Sequence, residues 1–396
     1  MIVNQHPLKK HKLAIPLIVA TLVIIALLSF IFYPNNKQAA LDKGAIIILP
    51  VNIDLNTASP LWQQYAHQES IIAHLNNSNS FPVLQVEDVI SFLLQSSSFI
   101  EDTRPLQVTK LLTFSGASLV VESVITKNDN SYQLAFNLYG QSQQQSGSIQ
   151  ADDIKSLYLD LANLINNKTK AKANTNSIKS RAYFNNPSLI LALKQLQYSE
   201  SSAASETLEI LLISDAGNLI AQRQKAEILL KQQEFVEAEK VISAALTQAE
   251  LAGNRRESAR LGLTLAKSYI EQGELAHALL TLSQSRSNAA NSQDWLYLAY
   301  VAAWAGHVNQ RLGRYDAANQ QYQLSVDYHQ MVGYQPGQVI GLNYLAQLAM
   351  LEHNYSQAYK SIQRSVAIVI KKDLVDLKPE TMALLAKIEN KLQGTR

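Results

Sequence analysis

Leu265-Ala266-Lys267-Ser268-Tyr269-Ile270-Glu271-Gln272-Gly273-Glu274-Leu275-Ala276-His277-Ala278-Leu279-Leu280-Thr281-Leu282 is the stretch that decides the fold. It reads as the end of one amphipathic helix, a glycine turn and the start of a second. Its key residues recur every forty positions. Ala278 has equivalents in Ala238, Ala318 and Ala358. Twelve residues upstream of each stand Ala226, Ala266, Gly306 and Ala346; three before it stand Phe235, Leu275, Tyr315 and Tyr355; four after it stand Ile242, Leu282, Tyr322 and Ile362. Small residues recur where helices touch and large ones where they fill the gap between them. A further copy, with Ala192, Ala204, Leu208 and Leu211, precedes these, and the step from Ala204 to Ala238 is 34 residues. Such a register describes a helical solenoid, in which stacked hairpins share one continuous core.

Leu265, Ala266, Tyr269, Gly273, Ala278 and Leu282 fall at the signature positions of the tetratricopeptide (TPR) family, which this block resembles. Tryptophan is missing at most first positions, and each unit carries about six residues beyond the ~34 of the family norm. Longer helices or longer turns would absorb them. The resemblance implies a concave surface that binds a partner, lined by Arg223, Glu227, Lys231, Arg260, Lys267, Glu271, Tyr300, His307, Gln310, Arg311, Asn343 and Gln347. With five cations to two anions, such a groove would favour an acidic peptide or a free carboxylate, because Arg grips carboxylate oxygens bidentately. The plainer alternative is that these are solvated residues of amphipathic helices.

Leu13 to Tyr33 is an apolar run relieved by Pro16, Thr21 and Ser29, and its length suits the ~20 residues that cross a hydrocarbon core. Lys9, Lys10 and Lys12 precede it and Lys37 follows, so the positive-inside rule places residues 1–12 in the cytoplasm and the bulk outside, in the bacterial periplasm. A cleaved signal peptide is the competing reading, with an overlong apolar region and no Ala-x-Ala site. The chain has no cysteine, which excludes thiolate metal sites and cysteine nucleophiles. Its formal net charge of +2 carries no nucleic-acid footprint.

Between residues 44 and 166 the periodicity changes. Ala45 to Val51 is a continuous apolar run of the kind found in a strand buried on both faces. Helices are expected over 62–75, 89–94 and 108–114, strands over 81–86, 117–125 and 131–139, and a last helix from the Asp152-Asp153 cap to Ile165. The order β-α-β-α-α-β-β-α describes a small α/β domain. Ile48-Leu49-Pro50-Val51, Glu69-Ser70-Ile71-Ile72-Ala73-His74-Leu75, Gly116 to Glu122 and Asp153-Ile154 resemble the TolB-like domain that precedes TPR arrays in membrane-bound regulators of the CadC type. The lysine-rich stretch 167–180 reads as a solvated linker between this domain and a separately folding solenoid over 181–396.

The expected whole is an α+β multi-domain chain: a transmembrane helix over 13–33, the α/β domain over 44–166 and an all-α solenoid. No G-x-G-x-x-G, G-x-x-x-x-G-K-[ST] or G-x-S-x-G motif occurs, so no enzyme, cofactor or nucleotide site is expected. His67 and His74 stand seven apart, outside the spacing of a helical zinc pair, and no metal site is expected. Glu87-Asp88, Glu101-Asp102 and Asp152-Asp153 sit where helices should begin and read as caps. Two functions remain. One is a single-pass membrane protein whose exported TPR module binds a protein, peptide or small ligand, with homo-oligomers allowed. The other is the sensory part of a CadC-type regulator, since twelve residues before the apolar run are too few for a winged helix.

Overall fold

The computed structural model describes residues 44–54, 60–75, 81–95, 104–128, 130–141, 143–169 and 181–393. The tail over 1–12 and the apolar run over 13–33 lie outside these residues, as do Glu101-Asp102 and most of the expected linker. No helix among the described residues is long and apolar enough to cross a membrane.

The first part is a mixed sheet with helices. Strands β1 (Ile46–Ile48) and β2 (Asn52–Asp54) both run parallel to β3 (Leu119–Asn128). Strands β3, β4 (Ser131–Gly140) and β5 (Gln144–Ala151) continue antiparallel, in the order β1-β3-β4-β5. The hairpin closes with Asn128 opposite Ser131, between the strands expected over 117–125 and 131–139. Helices α1 (Leu61–Leu75), α2 (Val86–Gln95), α3 (Arg104–Ser115) and α4 (Ile154–Thr169) complete the part. Three elements depart from expectation, the first being β2, which follows the strand expected over 45–51 as a separate short strand. The strand expected over 81–86 is a single bridge from Val83 to Ile46, after which Val86 already begins α2. Gln144–Ala151, read as no element, is β5. Asp153 does cap α4, accepting from the Ser156 N–H at 3.0 Å and its hydroxyl at 2.7 Å.

The second part is an all-helical, TPR-like solenoid: α5 (Pro187–Gln197), α6 (Ser201–Ser214), α7 (Leu219–Lys231), α8 (Phe235–Leu251), α9 (Arg255–Glu271), α10 (Leu275–Asn291), α11 (Trp295–Arg311), α12 (Tyr315–Val332), α13 (Gln335–Leu351), α14 (Tyr355–Lys372) and α15 (Lys378–Gln393). From α8 to α14 helices start every twenty residues, so the extra residues of each unit lengthen the helices rather than the turns. A left-handed residue ends each helix on the same beat: Gln233, Gly253, Gly273, Gln293, Gly313, Gly333, His353 and Asp373 all have positive φ. Such a residue reverses the chain and caps the last carbonyls of the helix before it. The small-against-large register is visible at Gly306, where an added Cβ would strike the Tyr322 ring at 2.6 Å. Ala226, Ala238, Ala266, Ala278, Ala318, Ala346 and Ala358 are all fully buried.

The two parts are not separated. The described residues form one compact unit, and one apolar core runs from Ile46, Leu119 and Ile165 into Leu189, Ala204 and Ala226. A second core joins Ala45, Val89 and Phe92 to Leu296, Val332 and Tyr334. The backbones also meet: the Ala45 N–H donates to the Val332 carbonyl at 2.8 Å. Gly116 and Gly333, both at positive φ, stand back to back, so that a Cβ on either would run into the carbonyl of the other. The linker expected over 167–180 begins inside α4, which continues to Thr169 with Asn166 and Thr169 buried.

Candidate partner-binding surface

The expected groove residues fall on α7, α9, α11 and α13, the first helices of successive units. Along each helix, residues three and four apart fall on one row. One row carries Arg223, Glu227 and Lys231; the next carries Arg260, Thr264, Lys267 and Glu271; the third carries Tyr300, Trp304, His307 and Arg311. These rows begin in the protein interior and end in solvent.

At the inner end, Arg223 and Arg260 are buried, and their partner is the chain's own α2. The Arg223 guanidinium donates to both oxygens of Glu87, at 2.6 and 2.8 Å, and to Glu257 at 3.4 Å. Arg260 pairs with Glu87, with Asp88 at 2.8 Å and with Asp294 at 2.8 Å. It also lies over the Tyr297 ring, 4.2 Å from its centre. Arg256 reaches Asp294 from the rim at 3.9 Å. Sequence accounts for the convergence: Glu87 and Asp88 lie in the first turn of α2, Glu257 in the first turn of α9, and Asp294 is the N-cap of α11. Each carboxylate thus faces the positive end of its own helix as well as an arginine. Four carboxyls share three guanidinium groups. Burial, then the charge of Asp294, holds the Asp88 carboxyl well above its ordinary value. Burial likewise raises that of Glu257, against the pull of Arg223.

A ladder of rings continues from the ion cluster. Tyr297 meets Tyr300, Tyr300 meets His329, His329 meets Tyr334, and Tyr334 stacks on Phe92 of α2 at 4.6 Å. Burial pulls the His329 imidazole down to about 3, so it packs as a neutral ring. At the other end of the interface, the Tyr183 and Phe184 N–H groups donate to the Glu69 carboxylate of α1 at 2.9 and 3.1 Å.

Of the twelve expected groove residues, Arg223 and Arg260 are therefore internal, and Tyr300 stands in the ring ladder. Asn343 is also internal: it donates to Thr381 of α15 at 3.1 Å and accepts from Ser365 at 2.7 Å. The plain alternative of solvated side chains fails for these three buried polar groups, and so does their availability to an outside ligand. Gln310 is half-buried and accepts from the Tyr322 hydroxyl at 2.9 Å. Gln347 is half-buried on α13.

The remaining six form a strip with Trp304 at its centre. Lys267 pairs with Glu227 at 3.1 Å and lies 5.9 Å from the Trp304 ring. His307 meets the same ring edge-on at 5.8 Å. Arg311 donates to the Ile270 carbonyl at 2.9 Å and is exposed, as are Lys231 and Glu271. Burial pulls the Glu227 carboxyl up, but Lys267 and Arg223 outweigh it and hold the group below its ordinary value. Burial, then Arg311, lowers the His307 imidazole. Sequence reasoning missed Glu87, Asp88, Glu257, Asp294, Tyr297 and Trp304. No group of three or more His, Cys, Asp or Glu among the described residues is arranged to hold a metal.

No family model matches the chain, and no curated protein matches it. Among solved structures, it is similar to BtubC (BKLC) from P. vanneervenii, at 17% identity and a TM-score of 0.43 over 49% of this chain and 82% of that one. It is also similar to YrrB, described as a TPR protein with an unusual peptide-binding site, at 15% identity and a TM-score of 0.34 over 51% and 91% of the two chains. The apo form of RapI matches at 15% identity and a TM-score of 0.40, over 54% of this chain and 60% of its own.

Proposed function

We propose that this chain is an interaction module that captures a protein or peptide partner along the outer strip of its solenoid groove, from Lys231 through Lys267, Trp304 and His307 to Arg311. One observation carries the reading. The groove is divided: its inner half is closed by the acidic first turn of α2, while cations, an indole ring and half-buried polar groups line the outer half. An aromatic flanked by Lys and Arg offers an apolar platform with charge at its rim, the arrangement that concentrates binding energy in few residues. Glu227 offsets Lys267 and the charge of Glu271 acts on His307, so the strip selects a mixed or mildly acidic segment rather than a polyanion. The same proposal includes a membrane anchor at 13–33, a TolB-like character for the sheet part and a periplasmic location, each resting on the sequence features quoted above.

A photo-reactive phenylalanine analogue placed at His307 in the full chain tests the reading, with the same analogue at Ile213, 86% exposed, as control. Irradiation in cells should join a discrete partner to the His307 variant and none to the control. Further replacing Trp304 with Ala should abolish the adduct. Adducts that are equal at both positions, or that survive the loss of Trp304, would refute the strip as the working surface.

A further inference from the structure

Strand β5 is the outer edge of the sheet. It pairs with β4 over eight residues without a bulge, from Gln144 opposite Tyr139 to Ala151 opposite Tyr132, and nothing among the described residues pairs with its other side. Its sequence, Gln144-Gln145-Ser146-Gly147-Ser148-Ile149-Gln150-Ala151, holds no charge and no proline. Free edges normally carry lysine, proline or a bulge that prevents pairing with another chain. This one carries none of them.

Helix α4 lies above that edge. The Lys168 ammonium donates to the Gln145 side chain at 2.8 Å, which places the row Asp160, Leu164 and Lys168 on the β5 side of the helix. Tyr158, on the opposite flank, bonds to His67 of α1. Asp160 is exposed, and Leu164 and Lys168 are half-buried. The row is self-complementary when reversed: with Leu164 on a twofold axis, Asp160 of one copy faces Lys168 of the other.

We propose that a second copy of this chain pairs antiparallel along β5, with a twofold axis through Ser148, joining the two sheets into one and setting the two α4 helices side by side. In that register Ser148 faces its counterpart, Ser146 faces Gln150, and Gly147 faces Ile149. The two axis positions agree: Ser148 lies about 10 Å along the strand from Gln145, and Leu164 about 6 Å along the helix from Lys168 in the same direction, a gap that the long Lys168 side chain spans. Neighbouring strands lie about 4.8 Å apart, so helices seated over β4 and β5 would come within the 8–10 Å of ordinary helix packing. The uncharged strands carry no repulsion, and the charged row supplies two reciprocal Asp160–Lys168 pairs, as an isologous interface requires.

Sedimentation of the full chain at micromolar concentration, in mild detergent, tests this. Wild type should be a dimer. Because the chain has no cysteine, Ser148→Cys should form an intermolecular disulfide at that site alone under mild oxidant. Asp160→Lys should weaken the dimer at least about ten-fold, or 1.4 kcal/mol, and the swap Asp160→Lys with Lys168→Asp should restore it, which excludes unfolding as the cause. A monomeric wild type overturns the proposal, as does a dimer unmoved by both Ser148→Lys and Asp160→Lys.

Discussion

Arg260 ties α2 to α9 and α11 through Glu87, Asp88 and Asp294. Removing it would leave Glu87, Asp88 and Asp294 buried without their shared cation, a loss that costs about 3–5 kcal/mol when one partner of a buried pair is deleted. Arg260→Met should therefore lower stability by that order in a denaturant titration, whereas Arg311→Ala, at the solvent end of a neighbouring row, should stay within about 0.5 kcal/mol. Glu69 gives a different signature. Burial pushes its carboxyl up to about 7, against the two N–H groups that pull it down. The folded state thus holds its proton more tightly than the unfolded chain, and the group's contribution is full below its ordinary value and is lost as pH rises through about 7. The stability difference between wild type and Glu69→Gln, read from melting temperatures, should accordingly shift toward wild type as pH falls from ~8 to ~5. Neither effect could be read from the sequence. Glu87-Asp88 has the look of any acidic helix start, and its arginines lie 136 and 172 residues away.

At the scale of elements, the twenty-residue beat of left-handed caps divides into positions filled by glycine and positions that are not. Gln293 and His353 occupy a conformation that costs an L side chain about 1–2 kcal/mol. Gln293→Gly should stabilise the chain by up to about 1 kcal/mol and Gly273→Ala should destabilise it by a similar amount, measured by the same titration. The solenoid was legible because its packing is periodic: Gly306 against Tyr322, and buried alanines spaced by forty, repeat one geometric requirement until it becomes a pattern. The sheet part repeats nothing. Strand β5, made of Gln, Ser and Gly around one Ile, is held by pairing with β4 and by the Phe136 ring lying over Gly147, so its own composition carries no strand signal. The segment 81–86 has the opposite fate, since Val86 already belongs to the acidic helix that enters the groove.

For the molecule as a whole, shared cores and crossing backbone bonds make the sheet part and the solenoid one cooperative body. A protease site inserted between residues 170 and 180 and cleaved after folding should leave the two halves co-eluting under native conditions, with a single melting transition. Separate elution would show that the interface is too weak to act as a core. The seating of α2 on the arginines of α7 and α9 also bears on how such a chain can change over evolutionary time. Repeat arrays vary by gaining and losing hairpins, but here α7, α9 and α11 carry the arginines and carboxylates that receive α2, so a hairpin inserted or deleted among them would misalign the ion cluster with its occupant. Among the described residues the ion pairs of α2 reach no helix past α11, and the sheet part meets α14 only through the Phe114 ring of α3, packed on Val369 and Leu374. Lineages of this protein should therefore differ in length toward the C-terminus and keep a constant count of hairpins beside the sheet.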